Sequence, residues 1–177
     1  IFTVWVYYFF RDPERFPIND ENYLLSPADG VVSQITEING PKEIGLENKK
    51  YTRISIFMNV FDCHVNRVPS SGKITQIFYK AGKYINASLD KASEENERNY
   101  VKIKNLNGED IIVVQIAGLI ARRIVCEAKE NDEIKQGNRF GMIRFGSRVD
   151  LYFENYQSMV KINQKMIAGE TIAAKKK

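Results

Sequence analysis

Hydrophobic and polar residues alternate with a period of two over much of the chain, the pattern of strands with one face in a core. The clearest case is 139–153. There Ile143, Phe145, Val149, Leu151 and Phe153 share one face of an extended segment, while Met142, Arg144, Arg148, Asp150 and Tyr152 share the other. Ser147 falls on the apolar face, directly after Gly146. A hydroxyl there, behind a residue free to adopt backbone conformations that others avoid, marks either a strand bulge or a reactive centre. Residues 51–58 alternate too, with Thr52, Ile54, Ile56 and Met58 opposite Tyr51, Arg53, Ser55 and Phe57, which predicts a half-buried strand. Further strands are expected over 31–35 and 118–126, and a strand pair over 72–84 broken at Ala81-Gly82. Asn107-Gly108, between 100–106 and 110–117, is the strongest hairpin signal. Residues 160–164 and 166–172 read as a hairpin-like pair before a lysine tail at 175–177. The polar run 86–99 reads as a solvated loop, a short helix or a mobile cover over a site. Many short strands with tight turns predict a compact, mainly-β barrel or sandwich with few short helices.

Residues 1–10 are almost wholly apolar or aromatic and end at Arg11-Asp12-Pro13. Ten residues fall short of the ~20 that a helix needs to cross a bilayer core of ~30 Å. The chain opens on Ile1 rather than methionine, which leaves room upstream for a longer hydrophobic segment. Within this chain the aromatic and β-branched content predicts a strand or an interfacial stretch, its rings and Arg11 suited to the lipid headgroup level.

Composition narrows the picture only a little. A chain of 177 residues, 44% hydrophobic and 27% charged, fits one soluble domain with a well-buried core. A net charge of +4 is a mild basic excess spread along the chain, and a phospholipid surface satisfies it as well as nucleic acid does. Cys63 and Cys126 are too few for a disulfide framework or a thiolate zinc site, and among apolar neighbours they read as buried free thiols in a reducing compartment. Neither a P-loop nor a strand-to-helix Gly-x-Gly-x-x-Gly is present, which disfavours nucleotide-binding classes.

Candidate chemistry centres on three residues. His64, the single histidine, lies between strands in a segment dense with Asp62, Asn66 and Arg67. A lone histidine is more often a structural hydrogen-bonding residue, yet it is the only one available to assist a reactive Ser147. Asp29 sits at a loop-to-strand junction in Ser26-Pro-Ala-Asp-Gly30, where an Asp-Gly is by default a turn.

Five segments then combine: Phe9-Phe-Arg-Asp-Pro13, Ser26-Pro-Ala-Asp-Gly30, Phe57-Met-Asn-Val-Phe-Asp-Cys-His-Val-Asn-Arg-Val-Pro69, Asn96-Glu-Arg-Asn99 and Phe145-Gly-Ser-Arg148. In this order, along nearly the whole chain, they closely resemble the short form of the phosphatidylserine decarboxylase family, including its archaetidylserine-acting relatives. The resemblance implies a pyruvoyl enzyme made by self-cleavage at Gly146-Ser147. Residues 1–12 would be an aromatic membrane-proximal segment, and 13–177 a catalytic domain related to the lipoyl and biotinyl folds. Cleavage would divide the chain into 1–146 and 147–177. Ser147 Oγ would attack the Gly146 carbonyl to give an ester, whose elimination leaves a dehydroalanine that hydrolyses to the pyruvoyl group and ammonia. Asp29 would orient His64 as in a serine-protease triad. Many members of the family carry two histidines three residues apart in the second motif. Here Arg67 holds the second place, which leaves His64 as base for cleavage and as proton donor in turnover.

The resemblance also implies a serine phospholipid substrate, with Arg67, Arg98 and Arg148 as candidate partners for its phosphate. It further implies a peripheral or anchored position on the cytoplasmic face of the cell membrane, continued association of the two fragments and a homodimer. No nucleic acid and no metal are expected. Other classes would use the same residues differently. A serine hydrolase would employ Ser147, His64 and Asp29 but keep its chain intact. A lipoyl-like carrier would need a lysine at a hairpin tip, and none is so placed. A β-barrel interaction module would need no reactive serine.

Overall fold

A computed structural model describes residues 2–84, 86–87, 92–118, 123–144 and 147–177. Its fold is mainly β, with a curled half-barrel sheet at its centre. The strands are β1 (Tyr23–Leu25), β2 (Gly30–Asn39), β3 (Lys50–Met58), β4 (Val65–Arg67), β5 (Gly72–Lys80), β6 (Arg98–Asn105), β7 (Asp110–Ala117) and β8 (Ile124–Cys126). They continue with β9 (Glu133–Ile134), β10 (Arg139–Ile143), β11 (Ser147–Phe153), β12 (Tyr156–Ser158), β13 (Lys165–Met166) and β14 (Ile172–Lys176). The main sheet has eight strands in the order β13-β2-β3-β11-β7-β6-β5-β9. Two three-stranded sheets, β1-β14-β12 and β4-β10-β8, supply Leu24, Ala173, Ala174, Tyr156, Phe140 and Ile143 to the core that covers one face of the main sheet.

The alternation over 147–153 is real, but neither face meets water. Every residue of β11 is buried. Ser147, Val149, Leu151 and Phe153 lie on the side of the main core, and Tyr152 joins a smaller cluster with Tyr51, Tyr100, Ile112, Val114 and Ile116 on the other. β11 pairs antiparallel with β3 on one side and β7 on the other, with Ser147 opposite Met58 and Ala117. β3 is likewise buried on both faces, since Tyr51, Arg53 and Ser55 are covered, so the half-buried reading of 51–58 is corrected. Central strands of a covered sheet lose the polar face that alternation assumes. Polar residues on the second face pair with one another: Arg148 donates to both carboxylate oxygens of Asp150, at 2.7 and 3.1 Å, and to Ser55 Oγ at 2.8 Å.

Other expectations change more. The extended segment 139–153 is two strands in two different sheets, because β10 pairs with β4 and β8. The aromatic N-terminus is not a strand. Phe2–Phe9 forms helix α1. Trp5 and Phe9, four residues apart on one helical face, stack with ring centroids 5.7 Å apart, and Phe9 is fully buried. Tertiary packing of that stripe outweighs the strand propensity of Val, Tyr and Phe, which is a weak prior. Among the described residues no helix is long and apolar enough to cross a membrane.

β5 is a single strand, and only an isolated bridge from Lys83 to Asn96 follows it. Within the polar run, Ala92–Glu95 is a short helix, α2. The hairpin β6–β7 closes at 106–109 with Gly108 at φ 79°, a left-handed turn conformation that glycine tolerates. The strand expected over 118–126 is present as β8, with 119–122 outside the described residues. The C-terminal hairpin is replaced by longer-range pairing: β13 joins β2, and β14 lies between β1 and β12, so most of the lysine tail is strand. Cys63 is buried and Cys126 half-buried, both free.

Removing Asp150 would leave the Arg148 guanidinium buried without its carboxylate. Asp150→Ala should therefore cost roughly 3–5 kcal/mol in chemical denaturation. Replacing both members of the pair with apolar residues of matched volume should recover most of that loss.

Candidate active site

Antiparallel pairing makes neighbouring strands begin and end together. At one end of the main sheet β2 starts at Gly30, β3 ends at Met58, β11 starts at Ser147, β7 ends at Ala117 and β6 starts at Arg98. Four of the five resembling segments are thus the strand ends and turns of this edge. Gly30 has φ 152°, and a Cβ there would lie 2.2 Å from the Phe57 carbonyl oxygen, so only glycine lets Asp29 sit this close to β3. The fifth segment, Phe9 to Pro13, closes over the same end. The Phe9 ring lies on the His64 imidazole with centroids 4.4 Å apart.

Ser147 is fully buried, and among the described residues its hydroxyl donates to the Met58 thioether alone, at 3.4 Å. Sulfur is a weak acceptor, so the hydroxyl is held loosely. Phe145 and the expected cleavage residue Gly146 lie outside the described residues. His64, also fully buried, stands immediately before β4, and its Nδ1 is 2.9 Å from the Asp62 carbonyl oxygen. A carbonyl can only accept, so Nδ1 carries the proton and Nε2 keeps a lone pair. Nε2 is buried and has no hydrogen-bond partner among the described residues. Burial pulls the imidazole down to about 4; the Asp62 carbonyl opposes this, Arg11 adds to it and Asp29 opposes it more weakly. His64 is therefore neutral at physiological pH, with an unsatisfied basic nitrogen inside a covered site. Such an orphan in a native fold calls for an occupant or a chemical role.

Asp29 does not hold His64 by a hydrogen bond. Its Oδ2 pairs with Arg15 at 2.8 Å, and its Oδ1 accepts from the Ala168 amide at 2.7 Å. The imidazole is oriented by a backbone carbonyl instead, and the Asp29 charge reaches it through space. Nor does a hydrogen bond join His64 to Ser147 among the described residues.

The three arginines considered for phosphate are already engaged. Arg67 donates to the Gly137 carbonyl at 3.0 Å, to Asp12 at 2.8 Å and to the Pro13 carbonyl at 2.9 Å. Arg98 bonds Glu43 at 2.8 Å and the Asn96 carbonyl at 3.0 Å, beside a cavity of about 470 Å³ lined also by Tyr100 and Tyr152, on the sheet face away from Ser147. Arg148 is tied to Asp150 and Ser55. All three are buried, and each braces the fold.

Sequence reasoning missed the residues that bind the N-terminal segment over this end. Asp12 carries both Arg67 and Arg139, Arg15 carries Asp29, and the Cys63 thiol donates to the Arg11 carbonyl at 3.3 Å. A buried amide chain, Asn99 to Gln115 at 3.0 Å and Gln115 to Asn66 at 2.9 Å, ties the 96–99 segment to the 57–69 segment. Asp12, Cys63, Asn66 and Asn99 carried the signal of belonging to the five segments, while Arg15, Gln115 and Arg139 carried none, because pairing across so many residues leaves no periodicity.

Comparison with known proteins agrees with this convergence. A family model described as phosphatidylserine decarboxylase matches residues 2–174. The phosphatidylserine decarboxylase proenzyme of Pelagibacter ubique is 70% identical over 99% of this chain and 82% of its own length. That of Ruegeria pomeroyi is 56% identical over 97% of this chain and 79% of its own, and that of Rickettsia typhi 52% identical over 98% and 76%. With its motifs gathered at one end of a mainly-β fold and a family match over nearly its whole length, this chain belongs to the phosphatidylserine decarboxylase family.

Proposed function

We propose that this chain is a self-processing carboxy-lyase that converts phosphatidylserine, or a closely related serine phospholipid, to the ethanolamine phospholipid with a pyruvoyl group made from Ser147. The orphaned His64 Nε2 carries this reading: a neutral imidazole with a free lone pair, buried at the strand end where Ser147 begins β11. The residues fit a group formed at position 147, since among the described residues the Ser147 hydroxyl has a weakly accepting thioether alone for its proton.

In processing, His64 takes the proton as Ser147 Oγ adds to the Gly146 carbonyl carbon. The Gly146–Ser147 C–N bond breaks, and the acyl group moves to Oγ as an ester. Loss of the Ser147 α-proton then expels the Gly146 carboxylate from Cβ, and water replaces the resulting imine nitrogen, releasing ammonia. The pyruvoyl carbonyl so formed supplies the electron sink that decarboxylation of an α-amino acid headgroup requires. His64 is the residue available to return a proton to the carbon that loses carbon dioxide, and the packed Phe9 ring keeps bulk water from it. Asp29, held by Arg15 and Ala168, keeps a negative charge near the imidazole in the steps where it is cationic.

The fold also supports the fate of the two pieces. Residues 147–177 supply β11 to β14, which pair with β3, β7, β2 and β1 from the other piece, so the fragments stay interleaved. Val4, Tyr7, Phe10 and Phe61 are exposed around α1 and the segment before His64, which supports peripheral docking of this end on the cytoplasmic face of the cell membrane.

Denaturing mass spectrometry should find fragments 1–146 and 147–177, the second with a carbonyl-modified terminus, while both co-elute under native conditions. Ser147→Ala should leave the chain whole, and persistent cleavage at the same bond would remove serine from the mechanism. His64→Ala should slow cleavage by roughly 10²–10⁴-fold.

The pH dependence has a definite sign. The unfolded histidine binds its proton near 6.5 and the folded one only near about 4, so stability falls as pH drops through this window. Cleavage should keep its rate across the usual histidine range and decline only towards pH 4. Phe9→Ala would admit water to the imidazole and should move that acid limb upward. A uniform loss of rate with an unmoved limb would show that Phe9 serves stability alone.

A further inference from the structure

With the three buried arginines engaged elsewhere, the substrate's phosphate needs another partner, and two half-buried arginines near His64 lack a carboxylate among the described residues; Arg123, which also lacks one, is exposed. Arg15, Arg67, Arg98, Arg139 and Arg148 each face a carboxylate. Arg11 and Arg144 do not: among the described residues neither has a carboxylate partner. Arg11 donates to two backbone carbonyls, Tyr8 at 2.9 Å and Phe61 at 2.7 Å, and its guanidinium lies 3.8 Å from the Tyr8 ring centroid. These contacts hold its position and leave its charge uncompensated. Arg144 has a buried Nε with no hydrogen-bond partner among the described residues, and its guanidinium carbon stands 5.8 Å from the Phe10 ring centroid.

Both sit at the His64 end. The Ile143 amide donates to the His64 carbonyl at 3.3 Å, which places Arg144 one residue beyond that contact and three before Ser147. Phe10 packs edge-on against Phe9, with centroids 5.2 Å apart, and Phe9 covers His64. Arg11 lies near enough to the imidazole to disfavour its protonation. Around the two cations the apolar side chains of Tyr7, Phe10 and Phe61 are exposed. Two guanidiniums with no carboxylate partner among the described residues, one by Phe61 and one by the exposed Phe10 ring, suit an anion that arrives at a lipid surface.

We propose that Arg144, with Arg11 beside it, holds the phosphodiester of the substrate headgroup. The inference rests on the function proposed above and assigns its headgroup subsite. The phosphodiester is favoured over the serine carboxylate on energetic grounds. A cation fixed on the carboxylate would stabilise the group about to leave as neutral carbon dioxide, and so would oppose the reaction. The phosphodiester keeps its charge from substrate to product, so a guanidinium there contributes the same binding throughout. Arginine also matches it chemically, being weakly hydrated, forked and compatible with aromatic faces.

Uniform binding predicts a change in KM with little change in kcat. The test uses processed full-length protein with a short-chain phosphatidylserine held below its micellar concentration, alongside co-sedimentation with phosphatidylglycerol vesicles, which offer surface phosphate but no substrate. Arg144→Gln should raise KM for the monomeric substrate by roughly ten- to a hundredfold. Arg144→Lys, which keeps the charge but loses the fork, should raise it less. Lys135→Gln, an exposed charge on another loop, should leave KM unchanged.

A fall in kcat at constant KM would overturn the assignment by placing Arg144 at the reacting carbon. Equal losses in the Gln and Lys variants would overturn it by showing that charge is not what binds. Weaker vesicle binding with an unchanged monomer KM would mean surface attraction only, and would also overturn it. Failure of the function itself reads differently: the unsubstituted protein would then neither cleave nor release carbon dioxide from the lipid.

Discussion

The two-sided pairing of β11 is the constraint on which the rest of this molecule depends. Its partners, β3 and β7, run antiparallel to it, so Met58, Ser147 and Ala117 come level across three strands. Hydrogen bonds and buried side chains on both faces fix that level, and a slip of one residue would send Ser147 to the opposite face. Everything chemically notable then follows from where strands stop. The turn carrying Asp29, the connection carrying His64 and the start of β6 all belong to the same edge because strand direction alternates across the sheet.

Around that edge the protein separates two uses of charge. Arg67, Arg98 and Arg148 are buried and satisfied, and they act as braces whose removal would strand a carboxylate. His64 is buried and unsatisfied, so desolvation dominates and the imidazole stays neutral. The same low-dielectric surroundings make a full pairing stabilising and a half-made one reactive. Arg67, three residues after His64, sharpens the division, because a guanidinium adds a fixed charge and no further titration.

Legibility followed the range of the interactions. The Asn107-Gly108 hairpin and the inward placement of Ser147 were readable, since local turn chemistry and a period of two decide them. Helix α1 was not, because Val, Tyr and Phe favour a strand locally and only the packing of Phe9 on His64 decides otherwise. The C-terminal pairing of β14 with β1 joins opposite ends of the chain, and no local pattern records it. At the site, the order of five segments conveyed which residues meet but not how. Asp29 was expected to orient the imidazole, and the backbone carbonyl of Asp62, two residues away, does so instead. The arginines were ranked by motif membership, while their true sorting, paired or unpaired, depends on carboxylates far away in sequence.

The flush edge has a mechanical consequence as well. Cleavage just before Ser147, as proposed above, would place the new terminus at the first residue of β11. Downstream, the new terminus is clamped between two ladders and cannot recoil. The freshly made end would therefore keep the register it was born with.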